Sequence, residues 1–254
     1  MSRLKIANWN IGSLYADLER NLPYFTEVIS GSGADVFCMQ EFPIREEIAD
    51  TVMRLGKFPY LKLDETSESH VCKENRMGIA IFSKFPLTQV DKIELPKPQI
   101  RAMREGAEEI WHSKFFTITR CEQGDDTPVI ITGHGFPFHR YGLEKPEYRD
   151  VISRSFSVLD EWITNYLKEN ENGRVYLPAD FNITSPLDFM PRLRNVYYDS
   201  FDGCATRPSG RKTDTVLLPR GVDFIDRENL SIYSPDGAVI FDHNYISVTI
   251  NNNL

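Results

Sequence analysis

The stretch Ala34-Asp35-Val36-Phe37-Cys38-Met39-Gln40-Glu41 is a short apolar run that ends in an amide and a carboxylate. A run of this length without helical spacing predicts a buried β-strand. A polar side chain at the end of such a strand packs poorly in a core, but it can meet other polar groups at one edge of a sheet. This strand end therefore indicates one part of a functional site.

Four further segments of the chain repeat this pattern. Each is a short apolar run that leads into an amide, a carboxylate or an imidazole group. Residues 4–7 lead into Asn8 and Asn10, 128–132 into His134, 174–177 into Asp180, and 238–241 into Asp242 and His243. Together the five strand ends predict one site that hydrolyses a phosphate ester with the help of a metal ion.

Composition limits the setting of this site. The chain has 254 residues, of which 41% are hydrophobic, which is enough for one large core, so we expect a single domain over residues 1–254. We expect neither a leader peptide nor a membrane-spanning segment, because the first residues enter a short strand at once and no apolar stretch has membrane-spanning length. Four scattered cysteines argue against a zinc site or a disulfide framework and favour reduced thiols in the cytoplasm. They are Cys38, Cys72, Cys121 and Cys204.

The net charge of −8 argues against a wide basic surface that grips a polyanion. Nucleic acid is not excluded, because a cluster of acidic metal ligands adds negative charge and a bound cation reverses the local sign.

The pattern of apolar residues predicts more strands than helices. Helical spacing predicts helices over 17–30, 46–55 and from about 146 to 172, and buried strands are predicted at 77–83 and 111–119. Long helices that are each followed by a strand favour a layered α+β or α/β sandwich that contains two sheets.

The order of seven short motifs resembles the endonuclease/exonuclease/phosphatase superfamily. The motifs are Asn-x-Asn, Gln-Glu, an Arg-x-Gly-x-Ala strand, Thr-x-His, Asp-x-Asn, Asp-Phe-Ile and Asp-His, and they extend from Asn8 to His243. The superfamily includes pancreatic-type deoxyribonucleases, abasic-site endonucleases, inositol polyphosphate 5-phosphatases and sphingomyelinases. The resemblance implies an α+β, four-layer αββα sandwich of two packed mixed sheets flanked by helices. It also implies hydrolysis that depends on Mg²⁺, or alternatively Mn²⁺, at the mouth between the sheets.

The resemblance implies a role for individual residues. The implied metal-binding residues are Asn10, Glu41 and Asp242, and the implied catalytic residues are His134, Asp180, Asn182, Asp223 and His243. Glu41 would be the principal ligand, since Mg²⁺ prefers one or two carboxylates with water. Asp180 would activate the attacking water, while His134 would donate a hydrogen bond to a phosphate oxygen.

Three assignments depend on weaker matches. Asp223, in Val222-Asp223-Phe224-Ile225, is predicted to hydrogen-bond a catalytic histidine, although Asp214 and Asp226 lie nearby in the sequence. Arg76 and Arg149 occupy positions that suit substrate-facing arginines, because a guanidinium binds phosphate oxygens bidentately. Both arginines are equally compatible with exposed structural charges.

Three positions depart from the superfamily pattern. Ala179 replaces the usual glycine before Asp-x-Asn, Phe241 replaces the usual serine before Asp-His, and Gly135 replaces the common leucine after the first histidine. None of these changes removes a reacting group. They alter the walls of the cleft, which leaves the substrate open.

Three functions remain compatible with the sequence. A nuclease-like phosphodiesterase is favoured by how common nucleases are in the superfamily, and its DNA contacts would come from aromatic and basic residues in candidate loops. These residues are Phe136, Phe138, Tyr141, Lys97, Arg101, Arg104, Arg207, Arg211 and Lys212. A phosphatase or phosphodiesterase for a small phosphorylated metabolite, an inositol phosphate or a lipid headgroup fits the acidic charge. The third function is that of an inactive relative that only binds a partner. Such a relative would lack a metal-binding or water-activating residue, yet all of these residues are present. We expect no obligate protein partner.

Overall fold

The computed structural model describes residues 3–68, 76–98, 113–124, 127–141 and 145–251. Three helices lie in this part of the chain: α1 (Leu18–Ser32), α2 (Glu46–Gly56) and α3 (Arg149–Glu169). The strands are β1 (Arg3–Asn10), β2 (Val36–Pro43), β3 (Tyr60–Glu68), β4 (Arg76–Ser83), β5 (Leu87–Glu94), β6 (Phe115–Cys121), β7 (Val129–Gly133), β8 (Val175–Asp180), β9 (Tyr197–Asp199), β10 (Asp214–Pro219), β11 (Phe224–Leu230) and β12 (Tyr245–Asn251).

The strands form two six-stranded sheets. The first has the order β11-β12-β1-β2-β4-β3, and the second has the order β5-β6-β7-β8-β10-β9. Each sheet is mixed: β1 and β2 are parallel in the first, β7 and β8 are parallel in the second, and the other pairs are antiparallel.

Three apolar clusters hold four layers together. One cluster lies between the sheets and includes Ile6 and Val36 of the first sheet with Tyr176 and Val216 of the second. A second cluster joins the outer face of the first sheet to α1 and α2, and a third joins the outer face of the second sheet to α3. The predicted αββα sandwich of two mixed sheets is therefore confirmed.

The predicted helices and most of the predicted strands occur close to their expected bounds. The strand predicted at 238–241 is wrong: this segment before Asp242 is a loop, in which Val239 forms only an isolated bridge with Tyr233. Asp17 caps α1 by accepting a hydrogen bond from the backbone N–H of Arg20 at 3.1 Å, and Gly33 ends it with φ of 59°. The third helix begins after a short 3₁₀ turn at Pro146–Tyr148. The strand predicted at 111–119 is β6, which begins at Phe115; residues 111 and 112 lie outside the described ranges.

Two predictions from the composition concern membrane-spanning segments and the state of the cysteines. No helix in the described ranges is long and apolar enough to cross a membrane. Cys38, Cys121 and Cys204 are free thiols, and Cys72 lies outside the described residues.

Candidate active site

Several strand ends meet at one edge of the sandwich, which we call the site edge. It is defined by Asn10, Glu41, His134, Asp180 and His243. The end of β1 carries Asn10, the end of β2 carries Glu41 and the end of β8 carries Asp180. His134 directly follows β7 and forms a parallel bridge with Asp180, while His243 precedes β12 by two residues. The structure therefore brings these five predicted residues together.

The Oδ2 atom of Asp180 is the centre of this group. It accepts a hydrogen bond from Nδ2 of Asn10 at 2.9 Å, and it lies 3.5 Å from Nε2 of His134 and 3.8 Å from Nε2 of His243. The Asp180 side chain is fully buried. Burial and then the neighbouring Asp214 raise its pKa, although His243, Asn10 and a backbone N–H act in the opposite direction. Asp180 is thus a carboxylate with a raised proton affinity, facing two imidazoles.

Glu41 reaches the same point through an irregular backbone. Gln40 and Glu41 form a bulge in the pairing of β2 with β4, and Glu41 has a φ of 52°. Among the described non-glycine residues, only Glu41, Lys57 and Asn182 have positive φ, and Lys57 is a helix cap. Two of the three strained positions therefore flank the site, which is where proteins concentrate such strain.

Asn10 joins the two acidic side chains. Its Nδ2 donates to Oδ2 of Asp180 and, at 3.3 Å, to Oε1 of Glu41, while its Oδ1 accepts from the backbone N–H of Gly12 at 3.0 Å. The Glu41 carboxylate lies directly against Gly12, since a Cβ atom at that position would overlap with Oε2 of Glu41. Gly12 is thus required to leave room for this carboxylate.

The aspartate that pairs with His243 is Asp214, so the prediction of Asp223 is wrong. Nδ1 of His243 lies 2.8 Å from Oδ2 of Asp214. Asp223 is exposed and directly precedes β11, where Phe224 pairs with Ile250 at the end of β12 that is remote from His243. Asp214, in contrast, is the cross-strand partner of Asp180. The register of the strands therefore places Asp223 at the end of the first sheet that lies opposite the site edge.

The charge of His243 follows from its acidic neighbours. Burial alone would lower the pKa of His243, but Asp214 and Asp180 outweigh burial and raise it to about 9. An imidazolium at this position is suited to bind a negatively charged phosphate oxygen.

His134 has a different partner. Its Nε2 faces the carboxylates, 3.5 Å from Oδ2 of Asp180 and 3.7 Å from Oε1 of Glu41. Its Nδ1 lies 3.1 Å from Nζ of Lys114, a residue that the sequence analysis did not single out. The two histidines are therefore held by groups of opposite charge.

Asn182 lies next to Asp180 and is hydrogen-bonded to it. It has φ of 55°, its backbone N–H donates to Oδ1 of Asp180 at 2.9 Å, and its Nδ2 donates to the carbonyl oxygen of Gly135 at 3.1 Å. A Cβ atom on Gly135 would overlap with the carbonyl oxygen of Phe181. This close approach explains why glycine follows His134 in this chain. Phe181 itself is fully buried, as expected from strand alternation.

Asp242 lies at the outer rim of the site. Its side chain is about half exposed and accepts hydrogen bonds from the Ser13 hydroxyl and the Arg207 guanidinium. Burial opposes its ionisation, but His243, Ser13 and Arg207 together lower its pKa. Oδ2 of Asp242 is 3.8 Å from Nε2 of His243.

The two predicted substrate arginines pair with other groups. Arg76 opens β4 next to the end of β2 and forms an ion pair with Glu65. Arg149 donates to the carbonyl oxygen of Asp188 at 3.0 Å and lies over the ring of Phe189. A role for either arginine in binding substrate stays a prediction.

A comparison with models of protein families matches residues 7–227 to the Endonuclease/Exonuclease/phosphatase family. The match covers most of the chain and every residue placed at the site edge except His243. The chain belongs to this family.

Solved structures of several other proteins share the fold. Truncated TDP2 from Caenorhabditis elegans has a TM-score of 0.69 at 12% identity, with 98% of this chain and 97% of that chain covered. The human Nocturnin catalytic domain with bound sulfate has a TM-score of 0.69 at 13% identity, covering 98% and 93%. A mannosyl-6-phosphatase from Bacteroides thetaiotaomicron has a TM-score of 0.63 at 15% identity, covering 98% and 99%. A comparison with curated protein sequences gives no match.

The donor set at the site edge fits a hard divalent cation. Glu41 and Asp180 both contact one nitrogen, Nδ2 of Asn10, so two carboxylates converge on one point. Hard cations such as Mg²⁺ bind carboxylate and amide oxygens. A further candidate set is formed by one atom each of Asp180, Asp214 and His243, all within 4.8 Å of one another. Because His243 and Asp214 already bond to each other, we favour Glu41 as the principal ligand.

Proposed function

We propose that this protein hydrolyses phosphate esters with the help of a divalent cation, Mg²⁺ or alternatively Mn²⁺. The observation that supports this most is the convergence of His134 and His243 on one buried carboxylate, Asp180, with Glu41 3.7 Å from the same nitrogen of His134. Acidic, imidazole and amide groups that lie far apart in the sequence contribute to this single group. A binding protein without catalytic activity would not need a general base between two imidazoles.

Each side chain has a role in the proposed reaction. When held by Glu41, with Asn10 and Asp242 as further ligands, a divalent cation would polarise the phosphate and stabilise its developing charge. Asp180 accepts a proton from the attacking water, which its raised pKa favours. Nε2–H of His134 donates to one phosphate oxygen, and Asn182 orients the phosphate.

His243 has the complementary role at the far side of the phosphate. As an imidazolium it donates from Nε2 to a phosphoryl oxygen, while Asp214 holds Nδ1. Charge on the phosphoryl group is thereby stabilised as the leaving oxygen departs in line with the attacking water.

Within this reaction class, the described residues favour a small phosphorylated compound over nucleic acid. Phe136 and Phe138 are fully buried in the core, so they do not provide the base-stacking contacts expected of them in a nuclease. Lys212 is almost fully buried and bound to Asp199, and Arg207 is bound to Asp242. Lys97 and Arg211 are exposed; Arg101, Arg104 and the Tyr141 side chain lie outside the described part. Nuclease activity, which the sequence analysis favoured because nucleases are common in the superfamily, therefore becomes the second candidate function.

A substrate panel tests both candidates. Plasmid DNA, abasic duplex DNA, inositol phosphates, a hexose 6-phosphate and a bis-aryl phosphate are incubated with Mg²⁺, with Mn²⁺ and with chelator. We expect metal-dependent cleavage of a small phosphate ester. Cleavage of DNA alone would favour the nuclease, and no cleavage in any arm would overturn the proposed function.

Variants of the metal ligand and the general base link activity to the site. Glu41→Gln and Asp180→Asn should each lower kcat by about 100- to 1,000-fold, as single electrostatic groups do. Asp223→Asn is a matched control, because this exposed carboxylate lies at the opposite edge. Full activity of both site variants would contradict the assignment.

We further propose that residues 1–254 form one domain and that the protein works in the reducing cytoplasm. The three apolar clusters that join both sheets and all three helices support the first proposal. The free thiols of Cys38, Cys121 and Cys204 support the second.

A further inference from the structure

We propose that Lys114 is a positioning residue that holds His134 in the tautomer protonated on Nε2, so that this nitrogen donates into the phosphate site. Only the use of this Nε2–H group, which is to bind a phosphate oxygen, rests on the proposed function. The tautomer itself does not. The contact that carries it joins Nζ of Lys114 to Nδ1 of His134 at 3.1 Å.

The backbone fixes the two side chains opposite each other. Lys114 directly precedes β6, and its carbonyl oxygen accepts a hydrogen bond from the N–H of Leu95 at 2.8 Å. The N–H of His134 donates to the carbonyl oxygen of Phe115 at 3.3 Å, which continues the antiparallel pairing of β6 with β7. Since both residues are anchored by their own strands, the contact between their side chains is built into the sheet.

The chemistry of the two groups decides where the imidazole proton lies. A lysine ammonium has three N–H donors and no acceptor, whereas a neutral imidazole has one donor and one acceptor. At 3.1 Å, Nδ1 must therefore accept from Lys114, because a proton on Nδ1 would face an ammonium proton. The ring proton is left on Nε2.

The protonated nitrogen faces the reacting groups. Nε2 of His134 lies 3.5 Å from Oδ2 of Asp180 and 3.7 Å from Oε1 of Glu41, and the His134 side chain is about nine-tenths buried. A neutral donor at this point binds a phosphate oxygen without adding another net positive charge beside the cation. His243, whose Nδ1 faces the carboxylate of Asp214 instead, supplies the charged donor. The chain thus gives its two histidines different outer partners, an ammonium at His134 and a carboxylate at His243.

The test uses NMR to measure the protonation of the two ring nitrogens of His134 directly. The full-length protein is labelled with ¹⁵N-histidine, and the His134 signals are assigned by comparison with His134→Gln, since the chain has 5 histidines. Spectra are recorded at one neutral pH with saturating Mg²⁺. The wild type should show an unprotonated Nδ1 and a protonated Nε2, which are well separated in nitrogen chemical shift. A protonated Nδ1 in the wild type would overturn the proposal.

Variants of the lysine connect the tautomer to the reaction. Lys114→Met removes the donor at similar length; it should increase the share of protonated Nδ1 and lower kcat by about 10- to 100-fold, with a smaller change in KM, as is typical when an outer hydrogen-bond partner is lost. Lys114→Arg, which also only donates, should restore the wild-type spectrum and most of kcat.

A neighbouring lysine provides the matched control. Nζ of Lys92 lies 4.4 Å from the centre of the Phe115 ring and donates to the carbonyl oxygen of Glu65. Lys92→Met should leave both the His134 spectrum and kcat unchanged. If Lys114→Met shifts only one of the two readouts, or neither, the positioning role is wrong. If no substrate is cleaved at all, the proposed function fails, while the spectra still decide the tautomer.

Discussion

His243 and Asp214 form a hydrogen-bonded pair that joins the two sheets, with Nδ1 of the imidazole 2.8 Å from Oδ2 of the carboxylate. His243 precedes β12 of the first sheet, and Asp214 opens β10 of the second. Oδ2 of Asp214 also accepts from the hydroxyl groups of Thr213 and Thr206. Both side chains are buried, so the orientation of the imidazole is set by the packing of the two sheets.

Asp214→Asn should lower kcat by about 100- to 1,000-fold. The amide carries no charge, so it no longer supports an imidazolium at His243, and it presents either a donor or an acceptor to Nδ1. Steady-state kinetics on whichever ester the panel identifies measures the loss. Asp223→Asn should retain wild-type kcat; the reverse ranking of the two variants would restore Asp223 as the partner of His243.

Most of the predicted site residues that the structure brings together share one property. Asn10, Glu41, Asp180 and His134 lie at or directly after the C-terminal end of an apolar strand. The sequence shows such ends directly, because a polar residue interrupts the apolar run. That these residues come together in one site could be predicted only from the family resemblance, because no local sequence pattern indicates which strands become neighbours.

Asp214 was named only as a neighbour of Asp223, and Lys114 was not singled out, because both residues lie at strand beginnings. The strand β10 is antiparallel to β8, so its first residue lies opposite the last residue of β8 at the same edge. Lys114 likewise precedes β6, which is antiparallel to β7. A polar residue before an apolar run is as informative as one after it once the strand direction is known, and Thr213-Asp214-Thr215 before Val216-Leu217-Leu218 carries that signal.

Gly12→Ala should weaken metal binding while the protein stays folded. The added methyl group would overlap with Oε2 of Glu41, which is the far end of a flexible side chain and moves more easily than backbone. We expect at least a 10-fold loss of Mn²⁺ or Mg²⁺ affinity by isothermal titration calorimetry, with an unchanged circular dichroism spectrum. Gly31→Ala is the control, because a Cβ atom there meets nothing within 4 Å. Equal affinity in both variants would show that Glu41 does not hold the metal from this position.

Phe138→Ala should destabilise the fold by about 3–5 kcal/mol, the usual cost of removing a buried aromatic ring. Phe138 is fully buried, and its ring centre lies 6.0 Å from that of Phe136 and 6.3 Å from that of Phe156. Urea unfolding gives the change in the free energy of unfolding. The affinity for single-stranded DNA, measured well below the unfolding midpoint, should not change. A loss of DNA affinity without a loss of stability would favour an exposed, base-stacking role for this ring.

Mg²⁺ or Mn²⁺ should stabilise the protein against thermal unfolding, independently of any substrate. Glu41 and Asp180 both accept from Nδ2 of Asn10, so two acidic groups lie close together in the folded protein and a bound cation adds an attraction that the unfolded chain lacks. A ligand that binds only the folded state at 100 times its Kd adds about 2.7 kcal/mol to the free energy of unfolding. Differential scanning fluorimetry with increasing metal, and again with excess chelator, measures this shift. Asp223→Asn should behave as the wild type, whereas Glu41→Gln should lose most of the metal-induced shift, because an amide is a weaker ligand than a carboxylate for a hard cation. If Glu41→Gln and the wild type are stabilised equally, the cation binds elsewhere, and the role given to Glu41 is wrong.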